Sequence, residues 1–312
     1  MSKVKNFLKN INPLKVIEEN SKIEYTIQKV MGFCLIYGIS AFLMEGVIIL
    51  LYTCLGYNLL HGEMPVGEWV NLLPLYGFLG FGVNTLLYVK VIEKRNLSSV
   101  LIYVDKKFLL QFLYNLVAGF LLVGAAISIL IISGKYKFMG FGRLNINTLY
   151  LGLLAYLIQG SVEEIMCRGF LQNTLCKKIS MVGAVIISTM LFIAPHILSI
   201  IQIKGVLVFI AIINLFLVSF LFSLAMIKDN SIAAACGIHV GWNFVLGVVC
   251  GLQVSGGEAA NGIIKFSVQS GNEWITGGSY GIEASAILIP ILTVLNVVYL
   301  VRIKRKRVRN GI

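Results

Sequence analysis

Residues 205–227 read GVLVFIAIINLFLVSFLFSLAMI, without one charged side chain. The run is near the roughly 20 residues that an α-helix needs to cross the hydrocarbon core of a bilayer. Leu, Ile, Val and Phe follow one another without the apolar–polar alternation of a barrel strand, so the run reads as a helix. Outward from it, comparable runs recur at about 31–53, 70–89, 109–133, 147–167, 181–201, 231–252 and 284–301, which makes about eight. The 312-residue chain is 58% hydrophobic and only 13% charged, with a mean hydropathy of +0.87, far from the composition of soluble domains. The expected fold class is therefore all-α, a polytopic helical bundle embedded in a membrane.

Charge gives that bundle an orientation. Of the 26 basic residues, 21 fall before the first run or after the second, fourth, sixth and last. By the positive-inside rule both termini lie in the cytoplasm, with Lys135, Lys137 and Arg143 as exceptions on the outer side. The net charge of +12 follows from this placement and asks for no nucleic-acid partner; membrane lipids are the expected surroundings. Residues 1–30 form a basic N-terminal segment, polar enough to exclude a cleavable signal peptide and patterned for a helix on the membrane surface. Residues 31–301 form a single transmembrane domain, and 302–312 a basic tail that anchors the last span. The Gly- and Ser-rich segment 253–283, with Glu258, Glu273 and Glu283 against Lys265, is either a cap over a cavity or a flexible connector. Six cysteines include no C-x-x-C pair, so they read as small packing residues.

Candidate chemistry is concentrated in three places. Glu163-Glu164-Ile165-Met166-Cys167-Arg168 closes the fourth run, and carboxylates within a membrane cost several kcal/mol unless paired, solvated or used. Glu164 and Arg168 stand four apart, one helical turn, and suit an ion pair. His196 ends Phe192-Ile193-Ala194-Pro195-His196, where the proline removes a backbone donor and kinks the helix beside the imidazole. His239 and Asn243, again four apart, share one helix face, while Ala233, Gly237 and Gly241 form a small-residue stripe roughly opposite, suited to close approach of another helix.

Depth is a further test. Glu164 and His196 each lie 16 residues from Ser180 at the turn between runs four and five, about 24 Å at helical rise. His239 lies 10 residues beyond Asp229, about 15 Å, which agrees only if the fourth and fifth helices project beyond the membrane. Of the remaining candidates, Glu45 sits near the outer end of the first run and reads as interfacial or paired within the bundle, and His61 as a loop residue. The two-aspartate class of intramembrane protease is excluded, because Asp105 and Asp229 are the only aspartates and both lie at span edges.

Glu-Glu-x-x-x-Arg at 163–168, Phe-x-x-x-His at 192–196 and His-x-x-x-Asn at 239–243, in this order, resemble the three motifs of the CAAX-protease and bacteriocin-processing family. These are intramembrane endopeptidases related to the type II CAAX prenyl endopeptidase. The resemblance covers about 147–252 and implies a glutamate-dependent protease in a bacterial cell membrane, with a site opening toward the cytoplasmic leaflet. It implies that Glu163 activates water together with His196, and that His239 and Asn243 stabilise the oxyanion, with Glu164 and Arg168 in support. The implied partner is a peptide or lipidated-protein substrate, of CAAX type or of bacteriocin or leader type.

Hydrolysis needs a base for water and donors for the oxyanion, and both are present. Glu163, His196 and His239 also make a zinc set with water as fourth ligand, although they come from three helices and no H-E-x-x-H occurs; a zinc-bearing and a metal-free site both stay open. The alternative from another class is a non-catalytic transporter, scaffold or immunity protein with an intramembrane Glu/His proton or cation site. No pair of broken, inverted-repeat helices supports it.

Overall fold

A computed structural model describes residues 2–16, 20–63, 72–143, 145–257, 261–269 and 271–309. After the short α1 (Ser2–Asn10) come α2 (Lys22–Cys54), α3 (Leu73–Ile92) and α4 (Lys106–Ile132). Next are α5 (Ile146–Glu164), α6 (Met181–Ile200), α7 (Val206–Asp229), α8 (Ala233–Val249) and α9 (Leu288–Arg309). Each of the eight apolar runs lies on one of the helices α2 to α9. The ends are set by local chemistry. Ser21 and Glu24 form a capping box on α2, Asp105 caps the Phe108 amide of α4, and Ser180 caps the Gly183 amide of α6, each supplying an acceptor to otherwise orphaned N–H groups.

Among the described residues, five helices are long and apolar enough to cross a membrane, namely α2, α3, α4, α6 and α7, where the sequence suggested about eight. The other three fall short for physical reasons. α5 carries Gln159, Glu163 and Glu164, α8 is a shorter helix, and the second half of α9 is basic. α8 does not need a lipid-facing surface, because every residue from Ala233 to Phe244 is buried inside the bundle. The lipid-facing apolar surface is carried by outer helices, with Phe42 80%, Ile132 86% and Phe209 68% exposed, far more than a soluble surface tolerates.

The small stripe on α8 sets the tightest contact of the bundle. A Cβ on Gly241 would lie 2.3 Å from the Leu116 carbonyl oxygen of α4, and one on Gly237 2.4 Å from that of Phe112. Gly119 of α4 answers, since a Cβ there would meet the Ile238 carbonyl at 2.5 Å. The two backbones are therefore packed with no side chain between them. On the α5 side Gly160 faces Val240 and His239, where a Cβ would meet atoms at 3.2 to 3.4 Å, so α8 also packs closely beside the helix that carries Glu163 and Glu164.

Several boundaries differ from the sequence expectation. α5 does not stop near 167: it runs on as a π-helical segment Ile165–Gln172 and a last turn to Leu175. Arg168 is thus fully buried and is not one of the basic residues facing headgroups. α2 begins at Lys22 rather than near 31, and α9 absorbs the basic tail as far as Arg309. The bundle also carries a two-stranded antiparallel sheet, β1 (Tyr136–Phe141) with β2 (Ile264–Val268), bulged between Phe138 and Gly140. The sheet joins the connector after α4 to segment 253–283. Glu258 of that segment lies outside the described residues.

Helix direction alternates, so the bundle has two distinct ends. At the basic end Lys29 Nζ pairs with Glu93 Oε1 at 2.5 Å, Arg95 bonds Glu93 and Thr174, Lys178 reaches the Asn20 carbonyl, and Lys306 the Lys228 carbonyl. The opposite end carries the β1–β2 sheet, the Tyr76 bond to the Leu151 carbonyl, and the contact of Ser199 with Tyr280.

Candidate active site

The carboxylates of α5 divide their roles by position. Glu164 is wholly buried, and its Oε1 accepts from Arg168 Nη1 at 3.0 Å and from His239 Nδ1 at 3.0 Å. The expected i,i+4 ion pair is thus present, and the same oxygen also orients a histidine. The Arg168 Nη2 donates to Ser219 Oγ at 2.6 Å and to the Ser219 carbonyl at 3.0 Å, and the guanidinium lies over Phe192 and Phe222, centroids 4.5 and 5.3 Å away. Four groups on α5, α6 and α7 therefore hold one cation, and that cation holds Glu164.

Because His239 gives its Nδ1 proton to Glu164, its neutral tautomer turns an unprotonated Nε2 toward Glu163, 3.8 Å from Glu163 Oε2. Glu163 Oε1 accepts from Gln159 Nε2 at 2.7 Å, while its Oε2 is buried without a hydrogen-bond partner among the described residues. Gln159 Oε1 in turn accepts from Asn243 Nδ2 at 2.9 Å. A chain thus runs from Asn243 through Gln159 to Glu163. Both helices turn π-helical directly after these residues, α5 at Ile165 and α8 at Val245, a local geometry that recurs at functional sites.

His196 comes from the third helix. α6 breaks into a 3₁₀ turn at Ala194–His196, as Pro195 demands, and His196 Nδ1 donates to the Phe192 carbonyl at 2.9 Å. Its Nε2 is left for the cavity. A cavity of about 570 Å³ is lined by Gln159, Glu163 and His196 among others, and beside it a chamber of about 30 Å³ is lined by His196, His239, Trp242, Asn243 and Glu283. The chamber is large enough for one water. His196, Phe192 and Ser255 line both spaces.

All six expected residues therefore gather here, with two differences in detail. Glu163 stands against His239 rather than His196, and Asn243 reaches Glu163 through Gln159. The α7–α8 turn is itself tucked inside, which places His239 beside Glu164 although only 10 residues separate it from Asp229: Ser231 and Ile232 are buried, and the Ile232 amide bonds the Leu101 carbonyl. The zinc set does not form. Among the described residues no three His, Cys, Asp or Glu side chains lie close enough to hold a metal ion. Glu45 is exposed on α2, outside the 570 Å³ cavity, and His61 is exposed at the end of a single 3₁₀ turn, Leu59–His61.

Three participants were missed. Gln159 could have been found, since it precedes Glu163 by one helical turn on the same face. Ser219 was visible as a polar residue in the apolar run 205–227, where its neighbours Asn214 and Ser223 also bond across helices, to the Glu283 carbonyl and to Gln172. Glu283 gave no signal. It is buried, accepts from Trp242 Nε1 at 2.9 Å and from the Ser255 amide, and so fastens segment 253–283 over the site. Burial pushes its carboxyl above the usual carboxylate range, and the Ser255 and Trp242 donors pull it back. The segment is a cap over a cavity, the first of the two alternatives it offered: Val254, Ser255 and Asn261 line the space.

Three helices converging on two carboxylates, two histidines and an amide beside a long cavity set the context for comparison with known proteins. Residues 145–245 match the family of type II CAAX prenyl endopeptidase Rce1-like proteins. The Rce1-like region thus takes in α5 to α8 up to the start of the second π-helical turn and contains every motif residue, but not Glu283 or the capping segment. A match to that family over this region points to a membrane-embedded protease that acts on a peptide or protein. Neither a curated protein nor a solved structure matches the chain.

Proposed function

We propose that this protein is an intramembrane endopeptidase that uses Glu163 as general base, without a bound metal, on a peptide or lipidated-protein substrate of CAAX or leader type. The observation that carries the reading is Glu163 Oε2, a buried carboxylate oxygen without a partner, 3.8 Å from a histidine nitrogen whose proton is held on its far side. A water donating to Glu163 Oε2 and His239 Nε2 is aimed to attack a peptide carbonyl. Its proton passes to Glu163, the C=O electron pair moves onto oxygen, and the second Asn243 Nδ2 hydrogen stabilises that oxyanion. Collapse breaks the C–N bond, and the leaving amine takes the proton from Glu163. The products are one carboxylic acid and one amine, for one peptide and one water. Hydrogen-bond direction favours His239 as partner of Glu163 and His196 as the group facing the substrate, the reverse of the family-implied division.

The transporter reading has less support, because below Glu163 the bundle is filled by Val100, Phe170 and Leu171, each wholly buried. The test is purified protein in detergent with lipidated and leader-type peptides, compared with Glu163→Gln, His239→Ala and His196→Ala. Glu163→Gln should lose about 10²- to 10⁴-fold in rate, the usual share of general base catalysis. A wild type that cuts nothing, or a Glu163→Gln variant that cuts equally well, sinks the proposal.

A further inference from the structure

The resemblance implies a site opening toward the cytoplasm, yet the cavity runs the other way. Close to Glu163 its walls are Phe33, Met166 and Cys167, all buried. From there it follows α5 back to Thr148, fifteen residues earlier, about 22 Å at helical rise. It follows α2 from Phe33 to Tyr52 in the same direction, and it ends among Pro74, Gly257 and Asn261, all exposed. That is the end of the bundle that carries the sheet. Toward the basic end the path is shut by packed Val100, Phe170 and Leu171, and beneath them by the Lys29–Glu93–Arg95–Thr174 network and the Tyr88 bond to the Pro13 carbonyl. Of the 26 basic residues only Lys135, Lys137, Arg143, Lys204 and Lys265 belong to the sheet-bearing end.

We propose that the cavity takes its substrate from the non-cytoplasmic face, as an apolar polypeptide segment entering in extended form. The proposal rests on the peptidase reading for what happens at Glu163, and on the positive-inside rule for which end is outside. The walls fit an apolar chain: Tyr37, Phe78, Leu75, Tyr156 and Leu191 line the length between mouth and Glu163. About 22 Å accommodates roughly six extended residues at about 3.3 Å each. Substrates of this kind are exported or membrane-anchored peptides, with the scissile bond presented from outside, rather than the C-terminus of a cytosolic protein.

Access can be measured apart from catalysis. The native cysteines are replaced, and single cysteines are introduced as Asn261→Cys and Thr148→Cys at the mouth, or Lys177→Cys and Lys304→Cys at the basic end. In intact cells a membrane-impermeant maleimide should label the first two without permeabilisation and the last two only after it. The reverse pattern, or equal labelling of all four, overturns the proposal. If the cysteine-replaced protein fails to accumulate, trypsin added to intact cells carrying the unaltered protein gives the same orientation: the tail beyond Arg302 should be protected, and its digestion overturns the proposal. Cleavage is then read with apolar fluorogenic peptides coupled to dextran, in sealed vesicles of both orientations. Right-side-out vesicles should cut at least tenfold faster than inverted ones, and faster cutting by inverted vesicles overturns it. No cutting by either, nor by detergent-solubilised protein, condemns the peptidase reading while the labelling still decides the route of entry.

Discussion

Arg168 is wholly buried, and its charge is made tolerable by Glu164 and Ser219 at the two terminal nitrogens and by the rings of Phe192 and Phe222. Removing the cation leaves Glu164 buried with His239 as its remaining partner. Arg168→Ala should therefore lower stability by about 3–5 kcal/mol, read as thermal or denaturant unfolding in detergent. Arg168→Lys should fall between, because an ammonium keeps the charge but loses the fork on Ser219 and the stacking. Gln159 acts differently. Gln159→Ala removes a hydrogen bond to a carboxylate and takes the acceptor from Asn243 Nδ2, so stability should fall by about 1.5–3 kcal/mol and the peptidase rate about ten- to hundredfold. Polar residues in an apolar helix stand out in sequence, which is why Glu163, Glu164, Arg168, His196, His239 and Asn243 were legible. What was not legible is direction: that Glu163 stands against His239 rather than His196 depends on how α5 and α8 rotate against each other.

The placement of α8 against α4 is set by backbone contact between elements. With Cβ positions at Gly237 and Gly241 only 2.4 and 2.3 Å from α4 carbonyl oxygens, no rotamer relieves a larger residue. Gly241→Val should push α8 off α4 and carry His239 with it, so both stability and activity should fall, the first by about 1–3 kcal/mol or more. Retained activity with native unfolding would mean that the helices are not this close. The stripe was readable because small residues four apart align on one face. The continuation of α5 through Ile165–Gln172 was not, because Arg168 reads as a headgroup charge until its buried partners are known. Nor was the β1–β2 pairing, whose strands are separated in the chain by four helices. Segment 253–283 is held by the β1–β2 sheet, by the Asn214 bond to the Glu283 carbonyl and by the Glu283 carboxylate. Glu283→Ala leaves the Trp242 and Ser255 donors without their acceptor, at about 1–3 kcal/mol for each group left buried and unpaired, so the loss of stability should be clear by thermal unfolding in detergent.

At the scale of the whole molecule, segments far apart in sequence share one cavity: α2, α3, α5, α6, α8 and the capping segment all contribute wall. The helices and the polar motif residues are legible in the sequence but this space is not, since a cavity is what remains after side chains from six places have packed. Its length carries a prediction of its own. Thr148 lies about 22 Å along α5 from Glu163, near the mouth. Thr148→Trp places a bulky ring there and leaves the reacting groups untouched. A substrate that extends along the whole cavity meets the ring, whereas one with two or three residues on that side of the scissile bond does not. The ratio of kcat/KM for short over long peptides should rise tenfold or more in the variant, mostly through KM for the long ones. An unchanged ratio means that substrate does not lie along α5. A parallel loss for both lengths, accompanied by a lowered unfolding midpoint, means that the ring has disturbed packing rather than blocked a path.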